Sequence, residues 1–133
     1  MKIFLYFIGK PRDAHANAMA DEYIKRSTRF AKCEMREIDP RRVDPFAKHP
    51  AAAKILLDPA GEPLDSGAFA RLFNRDVVFI VGGADGLPPE WKSRADRLVT
   101  LSKMTMPHEL ARVVLAEQIY RALTTKHGHP YPR

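Results

Sequence analysis

The chain has 133 residues, 45% hydrophobic and 29% charged, enough for one globular core and too balanced for a disordered or fibrous chain. No run approaches the roughly 18–20 apolar residues of a membrane span. The lone Cys33 excludes a disulfide framework or a cysteine metal cluster and fits a reducing cytoplasm. With 22 Lys and Arg against 16 Asp and Glu, the net charge is +6, which favours a polyanionic partner.

Residues 2–8 read as a buried first strand rather than a signal peptide, because no small-residue cleavage site follows them. Gly9-Lys10-Pro11-Arg12 reads as a basic loop. From Ala14 to Ala31, apolar Ala16, Met19, Ala20, Tyr23 and Ile24 recur at helical spacing and are expected to face inward. Cys33 to Ile38 reads as a short second strand. The Pro-rich stretch 39–50 is expected to be a loop, with one helical turn at Ala51 to Ala53.

Lys54 to Asp58 reads as a third strand and 58–63 as a turn. Asp65 or Ser66 caps a helix expected to reach about Phe73. Val77 to Val81 is a fourth strand, Pro88 to Ala95 a short helix and Leu98 to Leu101 a fifth strand. From Pro107 to about Thr125, Leu110, Val113, Val114, Leu115, Ile119, Ala122 and Leu123 make a wide apolar face. The tail from Lys126 to Arg133 does not read as a packed element. No linker or internal repeat divides the chain, so residues 1–133 read as one domain.

Strands alternate with helices, and the strands are continuous apolar runs. That pattern belongs to a mostly parallel α/β sheet covered on both faces. Ligands of such sheets bind beyond the carboxyl ends of the strands. The candidate ends are Leu57-Asp58, Gly82-Gly83 and Leu101-Ser102. The loop from Gly82 to Gly86 reads either as a turn needing positive φ or as a place where backbone must approach a ligand. It is neither a Walker phosphate loop nor a dinucleotide fingerprint. His127 and His129 lack a third ligand, so a metal site has no support. His108, in the first turn of the long helix, and Arg112 one turn on share a side near the expected pocket. Tyr131 and Arg133 pair an aromatic ring with a cation, as a base-stacking and phosphate-contacting element requires.

Taken together, Gly9-Lys10, Glu22-Tyr23-x-Lys25-Arg26, Phe79-Ile80-Val81-Gly82-Gly83-x-x-Gly86-Leu87, Leu101-Ser102-x-Met104-Thr105-x-Pro107-His108-x-Leu110-x-Arg112 and Glu117-Gln118-Ile119-Tyr120-Arg121-Ala122 resemble one family. It is the ribosomal large-subunit pseudouridine N3-methyltransferase family, the YbeA-like family of the SPOUT class, and the resemblance covers nearly the whole chain. It implies an α/β knot in which the C-terminal segment threads a loop. It also implies a homodimer that transfers a methyl group from S-adenosylmethionine to N3 of a pseudouridine in large-subunit rRNA, without metal. By position, the implied cofactor contacts are Leu57, Gly82, Leu101, Ser102, Lys103, Met104, Thr105 and Met106. Candidate RNA contacts are Lys10, Arg12, Lys25, Arg26, His108, Arg112, Tyr131 and Arg133, and the catalytic candidates are His129, Tyr131 and Arg133.

Two departures stand out. The crossover between Ile38 and Lys54 is short, so one sheet face is expected to be thinner. The family's His-Pro-Tyr-His-Arg ending reads His129-Pro130-Tyr131-Pro132-Arg133 here, and Pro132 cannot accept a proton. These departures keep two alternatives open: a shifted RNA target, or a catalytically weak RNA-binding or ribosome-assembly factor.

Overall fold

The computed structural model describes residues 1–131. In chain order its elements are β1 (Lys2–Ile8), α1 (Ala14–Ser27), β2 (Lys32–Ile38), α2 (Pro45–Lys48), β3 (Ala53–Pro63), α3 (Ser66–Ala70), β4 (Val77–Val81), α4 (Pro89–Arg94), β5 (Arg97–Thr100) and α5 (His108–Lys126). The strands form one sheet in the order β2-β1-β4-β3-β5, and every pairing between them is parallel.

Alternate residues of each inner strand feed two separate cores, as the two-residue repeat of a strand dictates. Leu5, Phe7, Val77, Phe79 and Val81 pack under α1, α3 and α5 with Leu115, Ile119 and Leu123. Tyr6, Val78, Ile80 and Leu56 pack on the other face with Ile38 and Trp91. All five residues of β4 are buried, which is why that strand shows no polar alternation.

The short crossover does not leave its face bare. Asp44 caps Phe46 and Ala47, and Pro45 sits at the first helical position, so α2 forms inside the stretch read as a loop. The helical turn expected at 51–53 is replaced by a turn in which the Ala52 N–H donates to His49 O at 3.2 Å, and Ala53 already belongs to β3. His49 at the end of α2 meets the Tyr6 hydroxyl at 2.6 Å, and its ring lies 4.3 Å from that of Phe4.

Other boundaries move for local reasons. α1 stops at Ser27 rather than 31, where Ser27 and Thr28 hydroxyls donate to the carbonyls of Tyr23 and Lys25. α3 stops at Ala70, yet Phe73 is still buried. Met19, expected inward, is 55% exposed, and Leu110 of the wide apolar face is 47% exposed. The stretch read as a turn at 58–63 continues β3: Val99 pairs with Leu57 and again with Glu62, so β3 engages β5 twice. Gly61 is required there, because a Cβ would lie 2.6 Å from the Val99 nitrogen.

The tail is also organised. Gly128 adopts φ +68°, its N–H donates to Thr125 O, and the His129 N–H donates to Thr124 O at 2.9 Å. These two bonds are a Schellman cap, which reverses the chain at the end of α5.

Candidate active site

β3, β4 and β5 run the same way, so Leu57, Gly82 and Leu101 emerge at one edge of the sheet. There they border a cavity of about 580 Å³, within the range of small-molecule sites. All eight cofactor candidates line it: Leu57, Gly82, Leu101, Ser102, Lys103, Met104, Thr105 and Met106. His108 and Ala111 of α5 close one side.

Each wall has a local cause. After β4 the chain turns back at once, with Gly86 N–H donating to Gly83 O at 3.0 Å and Gly86 at φ +77°. A Cβ on Gly82 would lie 2.8 Å from the Gly86 carbonyl carbon, and one on Gly83 would lie 2.7 Å from Ile8 O. Gly82 is therefore required for the closure of its own loop, while it also lines the cavity where a ligand would approach the backbone. The second loop is held by Thr100 Oγ1 donating to Ser102 O at 2.7 Å and by Met104 N–H donating to Ser102 Oγ at 3.0 Å.

Asp58, named only as part of a strand end, proves to be a charged wall of the pocket with Lys92, which the sequence reading did not single out. Asp58 is 8% exposed, takes a 2.8 Å contact from Lys92 Nζ and accepts the Ala60 N–H at 2.8 Å. Lys92, and after it the Ala60 N–H, hold this carboxyl below the usual carboxylate range. The one available sign was the acid at the carboxyl end of a strand, which the following proline made look like turn chemistry. Cys33 is no second site, since burial pushes its thiol up to about 12.

The RNA candidates separate into groups. Lys10 and Arg12 are exposed on the first loop, which Glu109 pins by accepting the Arg12 and Asp13 N–H groups at 2.6 and 2.7 Å. That bond seats the loop beside His108 at the pocket end of the sheet. Lys25 and Arg26 are exposed on α1, with Arg26 paired to Glu22 at 3.0 Å. Arg112 corrects its expectation: it is 1% exposed, donates to Asn17 Oδ1 and lies over the Phe7 ring at 3.6 Å. A guanidinium so enclosed is not a surface phosphate contact.

Of the tail candidates, His129 and Tyr131 do not converge with the pocket in one chain. Tyr131 packs its ring 4.6 Å from that of Tyr120 and donates its hydroxyl to Glu117. His129 Nδ1 accepts the Tyr131 N–H at 3.2 Å. Glu117 and Tyr120 lie 9 and 12 residues beyond His108 on α5, roughly 14–18 Å along the axis at the usual helical rise. Arg133 lies outside the described residues, as does Pro132. Among the described residues no three His, Cys, Asp or Glu side chains converge as a metal site, and no helix is long and apolar enough to cross a membrane.

An all-parallel sheet with a pocket at its carboxyl edge defines an α/β protein with its ligand site where such sheets place it. A family model described as "Predicted SPOUT methyltransferase" matches residues 1–132, and the chain belongs to that family of methyltransferases. It is 60% identical over 139 residues, covering 100% of both chains, to the Ribosomal RNA large subunit methyltransferase H of Solibacter usitatus. It is 37% identical to the protein of that name from Burkholderia multivorans, covering 100% of this chain and 99% of that one. Among solved structures it superimposes on the tRNA (m1G37) methyltransferase of Aquifex aeolicus with a TM-score of 0.65 at 16% identity, covering 100% of this chain and 75% of that one. An AdoMet-bound rRNA methyltransferase from Sinorhizobium meliloti gives 0.52 at 15%, covering 90% and 55%. At those identities the structural likeness is one of fold.

Proposed function

We propose that this protein uses S-adenosylmethionine to methylate N3 of a pseudouridine in large-subunit rRNA, and that it works as a homodimer. The observation that carries the cofactor assignment is the convergence of three strand ends on one cavity of about 580 Å³. The RNA target rests on the full-length relatives at 60% and 37% identity.

The donor set suits the cofactor. Two loops present main-chain groups for an adenine edge, while Leu57, Val81, Val99 and Leu101 offer apolar surface for its flat ring. When bound, the cofactor supplies an electrophilic methyl group on a sulfonium. The chain's own task is to hold the acceptor base in line and remove water. His108, on the pocket wall at the start of α5, meets the substrate side, and Lys10 and Arg12 beside it hold RNA phosphates. The N3 proton needs an acceptor, and Pro132 has no titratable group.

A second copy accounts for two features. Met19 on α1 and Leu110 on α5 are uncovered apolar side chains on two helices packed together and suit a subunit contact. The separation of His129 and Tyr131 from the pocket of their own chain is bridged if the tail of one copy serves the pocket of the other. The double engagement of β5 by β3, with Gly61 pressed on Val99, supports the knot. The test is methyl transfer from labelled S-adenosylmethionine to assembled ribosomes and to naked rRNA. Incorporation into neither would overturn the proposal.

A further inference from the structure

The cofactor pocket carries a charge pattern that adenosine does not need. Most of its lining residues are glycines or apolar, and Asp58 is the acidic residue on it among the described residues. Lys92 faces Asp58 across 2.8 Å, with the lysine side chain 46% exposed at the rim and the carboxylate nearly covered. Resting on the cofactor assignment above, we infer that Asp58 and Lys92 receive the zwitterionic amino-acid end of the cofactor. Lys92 takes its carboxylate and Asp58 its ammonium.

Three observations carry this. The pair is not needed to hold α4, which is already anchored by Trp91, 4% exposed in the core, and by Arg94 on Asp44 at 3.1 Å. Asp58 keeps its place without Lys92, because the Ala60 N–H holds its other oxygen at 2.8 Å. Lys92, on a half-exposed flexible stem, is free to swing to a ligand carboxylate. A zwitterion entering between the two charges exchanges one ion pair for two, and neither protein charge is left unpaired. The other basic liners, Lys103 and His108, sit on the opposite loop and on α5, with no acid beside them in the lining. They match an anionic RNA rather than a zwitterion.

The test compares two ligands by calorimetry: S-adenosylhomocysteine, which has the amino-acid end, and methylthioadenosine, which has the same nucleoside without it. Wild-type protein should bind S-adenosylhomocysteine at least about tenfold more tightly. Lys92→Gln should lower that affinity about tenfold while methylthioadenosine affinity stays within about twofold, and Lys92→Arg should restore it. Equal wild-type affinity for the two ligands overturns the inference without any variant. So does a Lys92→Gln loss shared equally by both, which would assign the pair to the nucleoside or to the shape of the loop. If wild-type protein binds neither ligand, the cofactor assignment itself fails and this inference falls with it.

Discussion

The Tyr131 hydroxyl donates to Glu117 Oε2 across 2.7 Å, fastening the tail to the middle of α5. Burial first, and then that hydrogen bond to an anion, raise the phenol above its ordinary value of 10.0. Its contribution to stability is therefore complete below pH 10 and is lost as the pH rises further. Tyr131→Phe should cost about 0.5–1.5 kcal/mol at neutral pH and flatten the alkaline fall in melting temperature. An unchanged alkaline limb in thermal melts would show that the tail does not rest on α5 in solution.

Deleting residues 131–133 should abolish methyl transfer while changing cofactor affinity by less than about tenfold, or ~1.4 kcal/mol. Tyr131 packs on α5 away from the pocket of its own chain, and a partner's tail would meet the RNA side of a pocket whose cofactor walls are the segments at 57, 82 and 101–106, so cofactor affinity should change little. Labelled methyl transfer and calorimetry on the same preparation check both halves. Full-rate transfer by the shortened protein would remove the tail from the mechanism.

Arg112 and Arg12 should differ in their effect on RNA binding. Arg12 is exposed on the first loop, and Arg112 is enclosed over Phe7. Arg12→Gln should reduce the slope of log affinity against log salt by ~0.7–0.9, the loss of one phosphate contact. Arg112→Gln should leave the slope unchanged and lower the melting temperature. Equal slope changes in filter-binding titrations would place Arg112 on the RNA.

Gly82→Ala should weaken both the fold and cofactor binding, because its Cβ would press on the Gly86 backbone at 2.8 Å. Forced overpacking of this kind costs ~1–3 kcal/mol. Reduced cofactor affinity with an unchanged melting temperature would mean that the ligand, not the loop, needs the glycine.

His49 gives the protein an acid limit. Burial, then Lys48 and Lys54, depress its folded value below the ordinary 6.5. The neutral ring's contribution is present above pH 6.5 and is lost as pH falls through that folded value. Melting temperature should drop between pH 7 and pH 5 more in wild type than in His49→Gln, and parallel curves would contradict the assignment.

The sheet was legible because its central strands carry apolar runs: β4, buried throughout, was read at its observed ends, Val77 and Val81. The pocket was legible for a related reason, since parallel strands must open their carboxyl ends on one edge. Three features were not. Arg112 has a surface residue's chemistry, and only the packing of α1 on α5 buries it. Asp58 pairs with a lysine 34 residues away, a relation no local pattern carries. The tail looked unstructured because its order comes from a cap at Gly128 and a single tyrosine, not from a repeat.

Mapping the methylated nucleotide tests the central claim most directly. Large-subunit rRNA from ribosomes lacking this activity would be incubated with the protein and labelled S-adenosylmethionine, digested and sequenced by mass. One new methyl group on N3 of a pseudouridine is the expected result, lost when residues 131–133 are removed. A methyl group on another nucleotide, or none on ribosomes that the protein demonstrably binds, would contradict the account.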